Sequence, residues 1–186
     1  SVVFNPHKWL GVQFDCSAHF LRSPSELVRT LAISPEYLKT PGKTDVINFS
    51  EWSIPLGRRF RALKLWFLLR VYGLKVLRSK IRNHVKWSEV IAEKLEKTKN
   101  FEIVTTPILS LFTFRYLPED SSRINEFNEK LVELINKDGR IYLTQSLIEG
   151  KKVIRFQVGQ FATFKEDVDE AYVVICELAE KLSIKF

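Results

Sequence analysis

The stretch that decides the reading is Asn5-Pro6-His7-Lys8-Trp9-Leu10. Before it stands a short β-leaning run, Val2-Val3-Phe4. After it, Trp9, Gly11, Gln13 and Asp15 alternate with Leu10, Val12 and Phe14, as in a half-buried strand. Asn-Pro-His-Lys therefore reads as a tight turn between two strands. A lysine there can be desolvated, and a neutral amine attacks an aldehyde to form an imine. An adjacent asparagine and histidine can hydrogen-bond a phosphate or stack beside a ring. Those are the parts needed to hold pyridoxal phosphate. The same residues also suit an ordinary polar surface turn.

Moving outward, Ser23-Pro24-Ser25-Glu26 supplies helix-start signals for a short helix to Leu31. Residues 34–53 read as a long loop, of the kind that serves as a lid. From Leu56 to Trp87, apolar residues recur at three- and four-residue spacing, with Gly73 as a kink or break and a restart at Ser88. The remainder reads as β-β-α-β-β-α. Its strands are expected at 101–105 and 108–116 (bent at Pro107), 141–145 and 153–158. Its helices are expected over 121–137 and 165–181.

The composition is that of a folded chain: 186 residues, 45% hydrophobic and 27% charged. That excludes a disordered or fibrous protein, and no apolar run has the ~18 residues needed to span a bilayer. Of the 29 basic residues, ten fall between Arg58 and Lys86, where no acid occurs; the remaining 19 are outnumbered by 22 acidic ones. The net charge of +7 thus comes from one segment, which suits a solvated helix face, an interface or a polyanion. Two distant cysteines and three histidines assemble no zinc pattern, so no metal is expected. Two isolated thiols suit a reducing compartment, the cytoplasm. There is no methionine and the first residue is Ser1, as expected of a processed chain or a piece of a longer one.

Three ordered motifs sharpen this. Asn5-Pro6-His7-Lys8-Trp9-Leu10 with Phe14-Asp15-Cys16-Ser17-Ala18, then Ser34-Pro35-Glu36-Tyr37-Leu38-Lys39, then the run from Trp52 to Phe67 containing Pro55-Leu56-Gly57-Arg58-Arg59-Phe60-Arg61, closely resemble the group II pyridoxal-phosphate-dependent amino-acid decarboxylases, aromatic-L-amino-acid decarboxylases above all. The match thins afterwards but continues at Tyr72-Gly73, Ile81–Val85 and Val153–Phe156.

The resemblance implies an α/β chain of the fold-type-I pyridoxal-phosphate transferase kind. Residues 1–64 are the end of the cofactor-binding large domain. Residues 65–186 are a small α+β domain with an antiparallel sheet. It implies pyridoxal 5'-phosphate as cofactor, linked to Lys8, with His7 and Asn5 helping to hold its phosphate and ring. Tyr37 matches the loop tyrosine that protonates the substrate α-carbon after CO2 leaves; aldehyde synthases of the family carry phenylalanine there. Gly57 matches a substrate-binding position where histidine decarboxylases carry serine, which favours an aromatic amino acid.

The partners implied are an amino-acid substrate, a second copy in a homodimer with shared active sites, and an N-terminal part of the same enzyme. That part is expected to bring the aspartate that pairs with the pyridinium nitrogen, since neither Asp15 nor Asp45 is placed for it. Nucleic acid and membrane are not expected partners. Three alternatives accompany this reading: an inactive fragment or dimerisation module, an aldehyde synthase, and a basic nucleic-acid-binding domain built on residues 58–86.

Overall fold

A computed structural model describes residues 1–33 and 47–186. The chain divides into two compact units, Ser1–Leu74 and Lys75–Phe186.

In the first unit, β1 (Val2–Phe4) pairs antiparallel with β2 (Ala18–Phe20), Val3 lying opposite His19. Phe4 and Phe20 stack with ring centroids 5.9 Å apart. The expected second strand over residues 9–14 is absent. That stretch is turn and loop, and the strand partner of β1 lies further on. Alternation alone does not make a strand; its amides need a ladder. Here two of them bond back into the turn instead: Gly11 N–H donates to Lys8 O and Val12 N–H to Pro6 O, both at 3.1 Å, next to Lys8 N–H on Asn5 O at 2.9 Å. Gly11, at φ 73°, makes the bend. α1 (Pro24–Leu31) opens on its proline, whose missing N–H costs a helix nothing in the first turn. A 3₁₀ turn over Phe49–Trp52 is capped by the Asn48 side chain, which accepts from Ser50 N–H.

α2 (Ala62–Lys97) passes from the first unit into the second. It runs unbroken through the expected restart at Ser88. Its single irregularity is Gly73, at φ 72° and ψ 160°.

The second unit is a four-stranded antiparallel sheet with helices. β3 (Phe101–Ile108) and β4 (Leu111–Tyr116) form one hairpin; β5 (Thr144–Ile148) and β6 (Lys151–Gln157) form another. α3 (Ile124–Asp138) lies between them in sequence, and α4 (Lys165–Ser183) ends the fold. The order β3-β4-β6-β5 puts Phe112 opposite Phe156 and Phe114 opposite Ile154 at its centre. β3 continues through Pro107, with register shifts on either side of Thr105, where an uninterrupted ladder would need the missing proline N–H.

Phe112, Phe114, Ile154 and Phe156 meet Phe127, Leu131 and Ile135 of α3, Val174, Ile175 and Leu178 of α4, and Ile91 and Leu95 of α2 in one core. The four-residue spacing on α3 places its three side chains on one face. Gly139, left-handed at φ 84°, ends α3 with its N–H on Ile135 O. Lys94 bridges α2 to Asp169 of α4 at 3.0 Å, and Thr98 meets the Tyr172 hydroxyl at 2.9 Å. Among the described residues, no helix is long and apolar enough to cross a membrane.

Candidate active site around the Asn5–Lys8 turn

The turn leaves β1 at Asn5 and is anchored by buried Pro6. Lys8 is exposed, so no described residue desolvates its amine by burial. His7 is half-buried and fastened to Cys16: its N–H donates to Cys16 O at 3.2 Å, and its ring Nδ1 lies 2.7 Å from that oxygen and 3.0 Å from the Cys16 N–H. The Phe14 ring meets the imidazole edge-on at 4.9 Å. Asn5 Oδ1 accepts from Ser17 Oγ at 2.5 Å.

The strip facing this turn is held from α2 and the loop before it. Arg61 Nε donates to Asp15 Oδ2 at 2.9 Å, and Lys64 Nζ donates to the carbonyls of Gln13 and Asp15 at 3.1 and 2.9 Å. The Arg61 hydrogen bond holds the Asp15 carboxyl below the usual carboxylate range. Asp15 is thus an ion-pair partner of Arg61. Cys16 is buried, and its Sγ faces Arg61 O at 3.7 Å.

A cavity of about 430 Å3 is lined by Asp15, Ser17, Pro55, Gly57, Arg58, Arg59 and Arg61. Gly57 lines it with nothing within 4 Å of where a Cβ would stand. Arg58 is turned back, donating to Ser53 Oγ at 2.9 Å. The structure therefore has Asn5, His7 and Lys8 on one turn, and Gly57 separately in the lining of a cavity that Ser17 shares. Tyr37 lies outside the described residues.

Sequence reasoning did not single out Ser17 or Lys64 as side chains that hold the site. Ser17 lies within a quoted motif, but its bond to Asn5 spans twelve residues. Lys64 reaches back 51 residues to Gln13. No local spacing signals either.

The chain thus carries a lysine-bearing turn near the start of its first unit, and its second unit is an antiparallel sheet with helices, an arrangement consistent with part of a fold-type-I pyridoxal-phosphate enzyme. Residues 1–117 match the family model described as pyridoxal-dependent decarboxylase conserved domain, and the chain belongs to that family.

The chain is 40% identical to tyrosine decarboxylase 2 of Narcissus pseudonarcissus, over 94% of this chain and 36% of that protein. It is 37% identical to phenylacetaldehyde synthase of Arabidopsis thaliana, over 96% and 37%. The crystal structure of Oryza sativa TDC with PLP and tryptamine superposes with a TM-score of 0.90 at 30% identity, over 97% of this chain and 39% of that one. The chain thus spans somewhat under two-fifths of the length of the relatives it matches.

Proposed function

We propose that this chain is the C-terminal part of a pyridoxal-phosphate-dependent carboxy-lyase that converts an aromatic L-amino acid to its amine and CO2. The observation that carries the reading is the Asn5–Lys8 turn: one exposed primary amine, flanked by an imidazole and a carboxamide that are both braced from behind. That donor set fits the cofactor. Lys8 offers the amine for its aldehyde. Asn5 and His7, each with one polar edge taken inside the protein, keep another for its phosphate. Pyridoxal phosphate, when bound, supplies the electron sink into which the bond to the substrate carboxylate breaks.

The chain's own residues orient and protonate. Gly57 leaves the cavity wall bare, giving room for an aromatic ring. Tyr37 holds the proton destined for the substrate α-carbon. Tyr37 also separates this reading from the aldehyde-synthase one, for which overall identity is no guide: a decarboxylase and an aldehyde synthase match at 40% and 37%.

The end of the large domain is taken to run over residues 1–64 and the small domain over 65–186. The compact units divide slightly later, between Leu74 and Lys75. Exposed Val2, Val3, Phe20 and Phe60 suit coverage by an N-terminal part of the same enzyme and by a second copy in a homodimer. The two free cysteines suit a cytoplasmic setting.

The test is to incubate the full-length enzyme with pyridoxal phosphate, reduce with borohydride and map the modified peptide. A mark on Lys8 is expected; a mark on other lysines alone, or none, overturns the assignment. With active full-length enzyme, Tyr37→Phe is expected to divert product from amine toward aldehyde, with peroxide and ammonia released. An unchanged product ratio removes Tyr37 from its role.

A further inference from the structure

Asn5 and His7 flank Pro6, and both are tied to one dipeptide, Cys16-Ser17. The ties differ in kind. His7 is gripped by the Cys16 main chain, whose N and O both lie within 3.0 Å of Nδ1. Asn5 is gripped by a side chain, the Ser17 hydroxyl on Oδ1 at 2.5 Å. A carboxamide has one acceptor edge and one donor edge. With Oδ1 occupied, the edge that Asn5 offers to a ligand is Nδ2, a donor.

We infer that Ser17 is a positioning residue, whose hydroxyl fixes the flip of the Asn5 carboxamide so that Nδ2 donates to the phosphate ester bound beside Lys8. This rests on the reading of Asn5 as a cofactor ligand. Once the hydroxyl is gone, the amide rotates freely and turns Oδ1 toward the anion in part of the population, which repels it. His7 is untouched, because its grip is main chain. Removing the Ser17 hydroxyl therefore acts through Asn5 alone, and only on ligands that carry the phosphate.

The experiment compares the unaltered full-length enzyme, freed of cofactor, with its Ser17→Ala, Ser17→Thr, Asn5→Ala and Ser17→Ala/Asn5→Ala variants. Each is titrated with pyridoxal 5'-phosphate and with pyridoxal, which lacks the phosphate. Ser17→Ala is expected to weaken the phosphate ester by about two- to tenfold, the range of one hydrogen bond. Pyridoxal affinity stays unchanged, Ser17→Thr restores binding, and Ser17→Ala adds nothing in the Asn5→Ala background.

Unchanged affinity for the phosphate ester, an equal loss for both ligands, or a full further loss in the double variant overturns the inference. Failure of the unaltered full-length enzyme to bind the phosphate ester or to take a borohydride-stable mark on Lys8 overturns the functional reading instead. The carboxamide is then read directly, from the Asn5 side-chain amide resonances of the ligand-free enzyme. Ser17→Ala is expected to shift and exchange-broaden them, and unchanged resonances overturn the positioning role.

Discussion

Asn128 sits at the centre of an apolar core with both ends of its carboxamide engaged. Oδ1 accepts from Tyr116 N–H at 2.8 Å, and Nδ2 donates to the carbonyls of Tyr116 and Ile124, both at 2.8 Å. The side chain serves as a rung between the end of β4 and α3, and its burial is affordable because nothing is left unpaired. Asn128→Ala strands the Tyr116 main chain in the core and is expected to cost about 1–3 kcal/mol, measured by urea unfolding. A second residue sets an acid response. Glu126 lies between Arg123 and Lys130, whose hydrogen bonds hold its carboxyl at about 2, against 4.5 for a free side chain. The unfolded chain then binds more protons between those values, so stability contributed by Glu126 is complete above pH 4.5 and drains away as pH falls toward 2. The stability gap between the unaltered protein and Glu126→Gln is expected to close across that window; a gap that stays constant down to pH 2 contradicts it. At this scale the sequence points to Lys8 as a candidate, because its turn chemistry is local. It is silent on Ser17, because a hydroxyl's partner twelve residues away is decided by how the loop folds back.

Among the elements, α2 was legible where its periodicity was strong: buried Leu77, Ile91 and Leu95 keep helical spacing. The break at Gly73 was legible as a glycine but not as a conformation. At φ 72° and ψ 160° it occupies a region open essentially to glycine alone. A Cβ there meets nothing within 4 Å, so the strain of a substitution is wholly in the backbone. Gly73→Ala is therefore expected to destabilise the chain by roughly 1–3 kcal/mol, seen in thermal or urea melts followed by circular dichroism. An increase in stability would mean that the helix prefers to run straight. The opposite case is residues 9–14. Their alternation is real, yet Lys8 and Pro6 supply main-chain hydrogen-bond partners of the kind a neighbouring strand was expected to provide, and the pattern packs as loop. β3 shows a milder version: Pro107 was read as a bend between strands, and the ladder absorbs it with register shifts instead.

Across the whole molecule the two units are unequal. The second has a continuous core drawn from α2, α3, α4 and the sheet, with Phe112, Phe114, Phe127 and Leu131 fully buried. In the described part of the first, Val12, Cys16 and Pro6 are buried while Val2, Val3, Phe14 and Phe20 are exposed. The β-β-α-β-β-α order of the second unit was readable because its helices and strands bury their own faces. The first unit was readable by motif and not by pattern, because its apolar residues gain little burial from it. Hydrogen exchange followed by mass spectrometry is expected to find slow amides in β4, β6, α3 and α4, and fast exchange across residues 1–33. Equal protection in both would show that the first unit is held far more firmly than its burial implies. The strand order also dictates a sequence of events as the chain folds. Each hairpin closes over a two-residue connection and can form within microseconds. The seam between β4 and β6 joins residues that α3 separates in the chain, so the sheet cannot be completed until α3 has swung the second hairpin alongside the first. Damage to the Phe112–Phe156 pair should therefore slow folding itself, whereas damage at the outer edge of β5 should mainly hasten unfolding.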